Sequence, residues 1–450
     1  MTRFRIAASM AAVTAVVAAW PSAAPAATVP TSWCGTDVSA TDRKPDQVSA
    51  HQVGVIYAHP LGSADNFAAV ASKIVTDLAT VDAWWRAQDA TRTPRFDLAS
   101  FPGCATRLGA LDLAKVTLPR DASHYRELIA GWERLADDLF LPPFGFSNRF
   151  KKYLVYYDGP RDDVDVCGIA GGDPFQGPAY AQVYLQTCWQ DVGGGGTMAV
   201  TAAHELLHAL GAVPAGAPHV CASSAGHVCD LVDDLMYPST SGQPLDAVVL
   251  DSGRDDYYGH SGSWFDLQDS FWLARLDAPQ QSLSVTVSGP GRVASELPGI
   301  DCPGACAIAW DRGTRVALLP TAESGARFTG WKGACTGTTS CVVPMDAAAA
   351  LTATFTRGSA AGPPAAGAAS YRLAVSMSGA GRVSSTPRGI SCKRSCSARF
   401  GSGSTVTLRA AAAKGWRFAG WGVPCAGSFG ACTIPIQGDQ GVRATFARRR

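Results

Sequence analysis

The stretch His204-Glu205-Leu206-Leu207-His208 holds the residues of this chain that are best suited to metal chemistry. Two histidines four positions apart point to the same face of a helix, so both imidazoles can bind one Zn2+. Glu205 follows the first histidine and can take a proton from a water molecule that such an ion activates. The pattern predicts hydrolysis at a polarised carbonyl, with His204 and His208 as ligands of one catalytic zinc ion and Glu205 as general base.

The flanking residues predict the helix that this spacing requires. Residues 197–210 have a helical pattern and follow the flexible four-glycine run at residues 193–196. Gly211 and Pro214 end the helix. The same five-residue pattern also occurs by chance in helices that bind no metal, so its interpretation depends on the residues that follow.

Those residues resemble the metzincin-type zinc peptidases, in which His-Glu-x-x-His-x-x-Gly-x-x-His/Asp precedes a methionine turn under the metal. The chain matches the pattern as far as Gly211, and Met236 in Leu235-Met236-Tyr237 corresponds to the methionine turn. The resemblance implies a zincin-like catalytic domain, one catalytic Zn2+ and a protein or peptide substrate.

The third metal ligand departs from that pattern, because Pro214 stands in its place and proline cannot bind zinc. A catalytic zinc site needs three protein ligands and an open position for water, so the following loop has to supply one. His219 is the first choice, as if the loop were lengthened, and His227 is the second, since Cys221 and Cys229 could staple the loop that carries it. The remaining candidates are His260 and Asp230.

Three further features near the motif permit two interpretations each. Residues 181–187 alternate like a strand, either the edge strand that pairs with extended substrate in the related enzymes or an ordinary core strand. Tyr257 or Tyr258 could stabilise an oxyanion, as a tyrosine after the methionine turn does in some metzincins, or be structural. Two acidic clusters could bind Ca2+, but without EF-hand spacing solvated loops are favoured; they are Asp230, Asp233 and Asp234, and Asp251, Asp255 and Asp256.

The domain that carries the motif is predicted to span residues 28–280 and to mix helices with strands. Residues 53–57 and 153–157 have strand patterns, whereas residues 66–85 and 125–139 have the periodicity of amphipathic helices. Interspersed elements of both kinds predict an α+β or α/β class, and together with the resemblance above they lead us to expect an α+β, zincin-like catalytic domain.

The N-terminus and the cysteines both indicate export. Residues 1–27 combine two early arginines, an uncharged apolar run and small residues for cleavage, as a secretory signal peptide does. We expect no integral membrane span and a secreted, extracellular or surface-associated protein. Fourteen cysteines, an even number, then predict disulfides, with local pairing favoured. The expected pairs are Cys167–Cys188, Cys221–Cys229, Cys302–Cys306 and Cys335–Cys341.

The C-terminal part is an internal duplication: repeat 1 at residues 281–357, a linker at residues 358–370, and repeat 2 at residues 371–450. The motifs Ser-Gly-x-Gly-Arg-Val, Gly-Ile-x-Cys and Phe-x-Gly-Trp recur with an offset of 90 residues. Alternating apolar residues between glycines predict two small β-rich domains, and four cysteines in each predict disulfide staples for a modest core. The copies resemble the divergent bacterial surface repeats related to the internalin B-repeat, which implies attachment or spacing.

Charge is distributed unevenly between the two halves. Residues 281–450 hold 19 Lys and Arg side chains against 6 Asp and Glu, whereas residues 1–280 hold 19 against 31. Repeat 2 alone holds 13 against 1, which favours either an anionic cell-wall or surface polymer as partner or simple compensation for the acidic half. Because no base-reading residues are patterned there, we expect no specific nucleic acid.

Two other functions compete with a zinc endopeptidase. The chain could be a non-catalytic adhesion or binding protein, built on a peptidase-like scaffold whose metal site is inactive. It could also be a zinc hydrolase that cleaves a non-peptide amide, such as a cell-wall link. The first competitor depends on whether a third metal ligand is present, and the second depends on the substrate.

Overall fold

The computed structural model describes residues 40–98, 111–163, 165–172, 177–188, 198–239, 243–338, 341–357, 370–401, 404–422, 432–436 and 439–448. The predicted signal peptide, the four-glycine run and nearly all of the linker lie outside the described residues, as do Cys34, Cys104 and Cys425. Among the described residues, no helix combines the length and apolar character needed to cross a bilayer.

The first unit is built on a five-stranded sheet with the order β3-β1-β4-β6-β5. Its four first-named strands run parallel, and β5 pairs antiparallel with β6 at one edge. A separate antiparallel pair joins β2 to β7. The strands are β1 (Gln52–His59), β2 (Arg92–Pro94), β3 (Leu113–Thr117), β4 (Lys151–Tyr157), β5 (Gly168–Gly172), β6 (Ala179–Tyr184) and β7 (Leu273–Arg275).

Helices cover both faces of this sheet, which explains why β1, β4 and β6 are buried along their whole length. One apolar cluster joins the sheet to α1 and α4, and a second joins its other face to α2. The unit thus mixes helices and strands, as the sequence predicted. The helices are α1 (Phe67–Gln88), α2 (Leu128–Phe140), α3 (Leu185–Cys188) and α4 (Ala199–Leu210), with short 3-10 turns at Ala122–His124, Leu245–Ala247 and Leu267–Asp269.

The helix α4 carries His204, Glu205 and His208 and ends where the sequence predicted. Gly211 adopts a left-handed conformation with φ of 96°, and its N–H caps the carbonyl of His208 at 3.1 Å. A residue with a Cβ would be strained there, so the glycine allows the chain to leave the helix directly after the second histidine. The following loop therefore starts close to the motif.

Each repeat is a pair of four-stranded sheets with its own apolar core. The strands of repeat 1 are β8 (Gln280–Ser288), β9 (Gly291–Ser295), β10 (Asp301–Cys302), β11 (Ala307–Asp311), β12 (Arg315–Ala322), β13 (Ala326–Gly333), β14 (Cys341–Pro344) and β15 (Ala349–Arg357). Those of repeat 2 are β16 (Ser370–Ser378), β17 (Gly381–Thr386), β18 (Ser391–Cys392), β19 (Cys396–Gly401), β20 (Thr405–Ala412), β21 (Trp416–Trp421), β22 (Cys432–Pro435) and β23 (Gln440–Arg448).

The two repeats share one topology. Their sheets have the orders β11-β8-β15-β13 and β10-β9-β12-β14 in repeat 1, and β19-β16-β23-β21 and β18-β17-β20-β22 in repeat 2. The duplication and the β-rich character of both copies are therefore confirmed. All four expected disulfides are also present, and a fifth bond joins Cys392 to Cys396.

Candidate metal centre

Three imidazoles converge at the bottom of a cleft in the first unit. His204 and His208 project from one face of α4, and their Nε2 atoms lie 3.2 Å apart. His227 approaches from the following loop, with its Nε2 3.2 Å from that of His204. The potential ligand atoms of the three side chains all lie within 4.8 Å of one another. The loop thus places His227, the second choice from the sequence, beside the pair.

His219, the first choice from the sequence, does not join this cluster, which corrects the expected placement. Its backbone N–H and its Nδ1 both lie within hydrogen-bond distance of the Asp256 carboxylate, at 2.9 and 3.0 Å. The disulfide Cys221–Cys229 closes a narrow hairpin in which His219 and His227 lie on opposite arms. Asp256 binds His219 on one arm, and the other arm places His227 beside α4.

The two remaining candidates also lie elsewhere. His260 stacks on the Trp264 ring, with centroids 4.7 Å apart. Asp230 lies beside His219, with its carboxylate 3.6 Å from the Nδ1 atom. His227 is therefore the residue that the loop brings to the two helix histidines.

Hydrogen-bond contacts at the Nδ1 atoms fix the orientation of two of the three rings. The Nδ1 of His204 lies 2.6 Å from the carbonyl oxygen of Leu235, which can only accept a hydrogen bond. That ring therefore carries its proton on Nδ1 and turns the Nε2 lone pair towards the cluster. The Nδ1 of His227 lies 3.3 Å from the carbonyl oxygen of Ser224, which favours a proton on Nδ1 and a free Nε2 lone pair, and 2.9 Å from Ser224 Oγ, a hydroxyl that can donate or accept.

The three side chains fit a zinc ion. Two lone pairs that face each other across 3.2 Å repel unless a cation lies between them. Nitrogen ligands at Zn–N distances of about 2.0–2.1 Å in a tetrahedron lie about 3.3 Å apart, close to the separations found here. Burial lowers the pKa of His204 to about 4, lowers that of His208 well below its usual value and lowers that of His227. All three are thereby kept in the neutral form that a metal requires.

Glu205 lies in the same cleft with one carboxylate oxygen free. Its side chain is buried, and Oε2 has no hydrogen-bond partner among the described residues. Burial raises the pKa of Glu205 to about 8. Gly168 makes this placement possible, because a Cβ there would lie 2.6 Å from Glu205 Cγ and 2.7 Å from the carbonyl oxygen of Gln182. The sequence offered no signal for this role of Gly168.

The cleft has a volume of about 370 Å3 and is open to solvent on one side. The edge strand β5 and the segment before it form one wall, and α4 forms the floor. The lining residues are Asp165, Val166, Cys167, Gly168, Ile169, Ala170, Thr201, His204, Glu205, His208, Ala225, His227 and Pro238. Residues 181–187 do not form the edge: residues 181–184 belong to the inner strand β6, and the chain continues into α3.

Met236 lies in a buried turn that carries the partner of His204. Asp234 holds this turn, accepting hydrogen bonds from the Met236 N–H at 2.6 Å, the Ser252 N–H at 2.7 Å and the Tyr257 hydroxyl at 2.9 Å. The carbonyl of Leu235, within the same turn, contacts His204. A buried carboxylate thus fixes the turn that contacts His204, which sequence reasoning missed because it treated Asp234 as part of a loop cluster.

The expectation of solvated acidic loops is wrong for Asp234, Asp251 and Asp256, all of which are buried. Asp251 accepts hydrogen bonds from the backbone N–H groups of Tyr257 and Tyr258, each at 2.5 Å. The hydroxyl of Tyr257 bonds to Asp234, and that of Tyr258 bonds to Asp89 at 2.8 Å. Neither tyrosine lines the cleft, so their contacts are structural.

Comparison with known proteins bears mainly on the repeats. A family model described as the divergent InlB B-repeat domain matches residues 303–359 and 371–450, which confirms the predicted resemblance of both copies. No curated protein matches the chain.

Solved structures give only distant likenesses. Wild-type OgpA from Akkermansia muciniphila has a TM-score of 0.27 and 12% identity, over 90% of this chain and 99% of OgpA. Catalytically inactive OgpA in complex with an O-glycopeptide substrate, glycodrosocin, gives a TM-score of 0.24 and 11% identity over 92% and 100%. The major pilin T-13 of Streptococcus pyogenes gives 0.11 and 8% over 38% and 97%. Likenesses this low carry no argument about the chemistry of the cleft.

Proposed function

We propose that the chain is a secreted, zinc-dependent endopeptidase with His204, His208 and His227 as metal ligands and Glu205 as general base. The observation that supports this most directly is the convergence of three neutral imidazole nitrogens beside a carboxylate with an unpartnered oxygen in an open cleft. A bound Zn2+ would polarise the scissile carbonyl and lower the pKa of a water ligand to about 7.

The residues of the chain perform the proton transfers. Glu205 accepts a proton at its free Oε2 and returns it to the leaving amine, as one group acting first as base and then as acid. Burial alone raises the pKa of Glu205 to about 8 in the metal-free protein. The charge of a zinc ion beside the carboxylate would lower that pKa, which would leave Glu205 ionised and able to accept a proton near neutral pH. Leu235 and Ser224 hold the histidines in the tautomer that leaves Nε2 free.

The strand β5 is the element suited to holding an extended peptide. Among the described residues it is the edge of the sheet and pairs antiparallel with β6, and Gly168, Ile169 and Ala170 line the cleft. An edge strand has unpaired backbone groups that can pair with a substrate strand. Substrate recognition is thus expected to depend largely on main-chain hydrogen bonds.

The outer modules suit a secreted enzyme that stays at a surface. Disulfides in the first unit and in both repeats persist in an oxidising compartment. We assign attachment or spacing to the repeats, because they are β-sheet units that contribute no residue to the lining of the cleft.

Metal counting with matched variants tests the assignment. We expect one zinc per chain in the purified protein and in His219→Ala, and loss of zinc and of chelator-sensitive peptide cleavage in His227→Ala. Glu205→Gln should keep the zinc and lose cleavage. Zinc bound equally by His227→Ala and the unaltered protein would refute the ligand set.

A substrate panel separates the competing functions. It should contain unmodified peptides, O-glycosylated peptides and cell-wall fragments, each with and without chelator. Zinc binding without cleavage of any substrate would favour the adhesion protein. Cleavage confined to wall fragments would favour the hydrolase of a non-peptide amide.

A further inference from the structure

Repeat 1 is attached to the first unit through one defined surface. The backbone N–H of Ala50 donates to the carbonyl of Pro298 at 2.9 Å, and Ser49 Oγ donates to the carbonyl of Ala309 at 2.6 Å. The side chain of Ala50 is buried in the core cluster of repeat 1. A segment of the first unit thus completes the repeat.

Acidic side chains of repeat 1 strengthen this attachment. Asp311 forms an ion pair with Arg95, and Glu296 forms one with Arg149. Both acids belong to the repeat and both arginines to the first unit. The docking surface of repeat 1 is therefore neutral or acidic, and it faces basic groups.

The same surface of repeat 2 has the opposite charge. Gly304 also lies at the docking surface, where a Cβ would be 3.4 Å from Pro45 Cγ. The offset of 90 residues maps three docking positions onto arginines, all exposed in repeat 2: Pro298 onto Arg388, Gly304 onto Arg394, and Ala309 onto Arg399. We name these three side chains the arginine face.

Within the part of repeat 2 that the structure describes, the contacts around the arginine face do not neutralise it. Arg399 lies directly opposite Arg372 in the β16–β19 pairing, an arrangement of like charges that is normally destabilising. The one acidic residue of repeat 2, Asp439, accepts a hydrogen bond from the backbone of Arg372. Asp311 and Glu296 correspond to Gly401 and Thr386, so repeat 2 lacks the acids that dock repeat 1.

We propose that the arginine face binds an anionic glycopolymer of a cell surface, using the surface through which repeat 1 binds the first unit. A chain of regularly spaced phosphate, sulfate or carboxylate groups complements several like charges presented on one surface of repeat 2, and its binding releases counterions. The arginine face includes no aromatic side chain on which a base could stack, which favours a glycopolymer over single-stranded nucleic acid. This site is independent of the proposed zinc centre.

A matched pair of triple variants of the full chain tests the site. The first is Arg388→Ala, Arg394→Gly and Arg399→Ala, which gives two positions the residue that repeat 1 has. The control removes the same charge from exposed positions outside the face: Arg382→Ala, Arg409→Ala and Lys414→Ala. Binding to poly(glycerol phosphate) and to a sulfated polysaccharide is measured from 50 to 300 mM salt, with duplex DNA as a third probe.

We expect the first variant to lose at least about tenfold in affinity for both glycopolymers at 0.15 M salt, and its salt slope to fall by about two to three. The control should lose less than about threefold. The Arg→Lys version of the first variant keeps the charge and should bind within about threefold of the unaltered chain.

Equal losses in the two Ala-type variants would overturn the proposal, because net charge alone would then explain binding. A tenfold loss in the Lys version, or tighter binding to DNA than to either glycopolymer, would also overturn it. Thermal melting and formation of the Cys392–Cys396 disulfide show that each variant is folded.

Discussion

Replacing Glu205 by Gln should stabilise the metal-free protein while abolishing its proposed activity. Burial raises the pKa of Glu205 to about 8, whereas an unfolded glutamate has a value of 4.5. The folded state must therefore hold a proton that the unfolded state releases at neutral pH. Glutamine is neutral and similar in shape, so it avoids this cost.

The size of the effect follows from the difference in pKa. Each pKa unit is worth about 1.4 kcal/mol, so keeping Glu205 protonated at pH 7 costs on the order of 3 kcal/mol. Because the pKa of this carboxyl is raised in the folded state, the cost is negligible below pH 4.5. The cost grows as the pH rises to about 8 and is constant above that. Water in the open cleft lowers the figure, so we expect a gain of about 2–3 kcal/mol for Glu205→Gln at pH 7 to 8 and almost none at pH 4.5.

Hydrogen exchange measures this gain unit by unit. Chelator-treated full chains are compared at pH 4.5, 6 and 8 in moderate urea, using peptides from the buried strand β4 to report on the first unit. Peptides from β23 in repeat 2 serve as an internal reference, because they lie far along the chain in a separate core. Equal protection of β4 in both proteins at pH 8, or a gain that does not change with pH, would refute the reasoning.

Three further outcomes follow from the same site. Gly168→Ala should cost about 1–3 kcal/mol and most of the cleavage activity, since its Cβ would displace Glu205; urea unfolding and peptide turnover check this. Asp234→Asn should weaken zinc binding about 10–100-fold, read by competition with a chromophoric chelator, because the turn that holds His204 loses one of its two acceptor oxygens; unchanged affinity would contradict the role. Zinc should stay bound as the pH falls from 7 to about 5, since burial lowers the pKa of His204 to about 4; release near pH 6.5, followed by metal analysis, would contradict it.

The sequence predicted most of the fold because its strongest patterns are local. The strands β1 and β4, the helices α1 and α4 and the paired repeats all have periodicities that one segment is enough to reveal. The order of strands in the first sheet was beyond such reasoning, since it depends on which segments pair across the chain. For that reason residues 181–187 were read as a possible edge strand, whereas β5, a glycine-rich segment with no alternation, forms the edge.

The two helix histidines of the site were predictable from the sequence, whereas the loop histidine was not, for a physical reason. A spacing of four residues fixes His204 and His208 on one helical face whatever surrounds them. The position of a loop histidine depends instead on what anchors the loop: the Asp256 carboxylate binds His219, and the Cys221–Cys229 hairpin turns His227 to the cluster. Asp256 and His219 lie 37 positions apart in the chain, and within its own loop Asp256 donates its backbone N–H to the buried Asp251 carboxylate. Which loop histidine lies beside the motif thus depends on the Asp256 carboxylate, which binds His219. No local sequence pattern connects Asp256 to the motif.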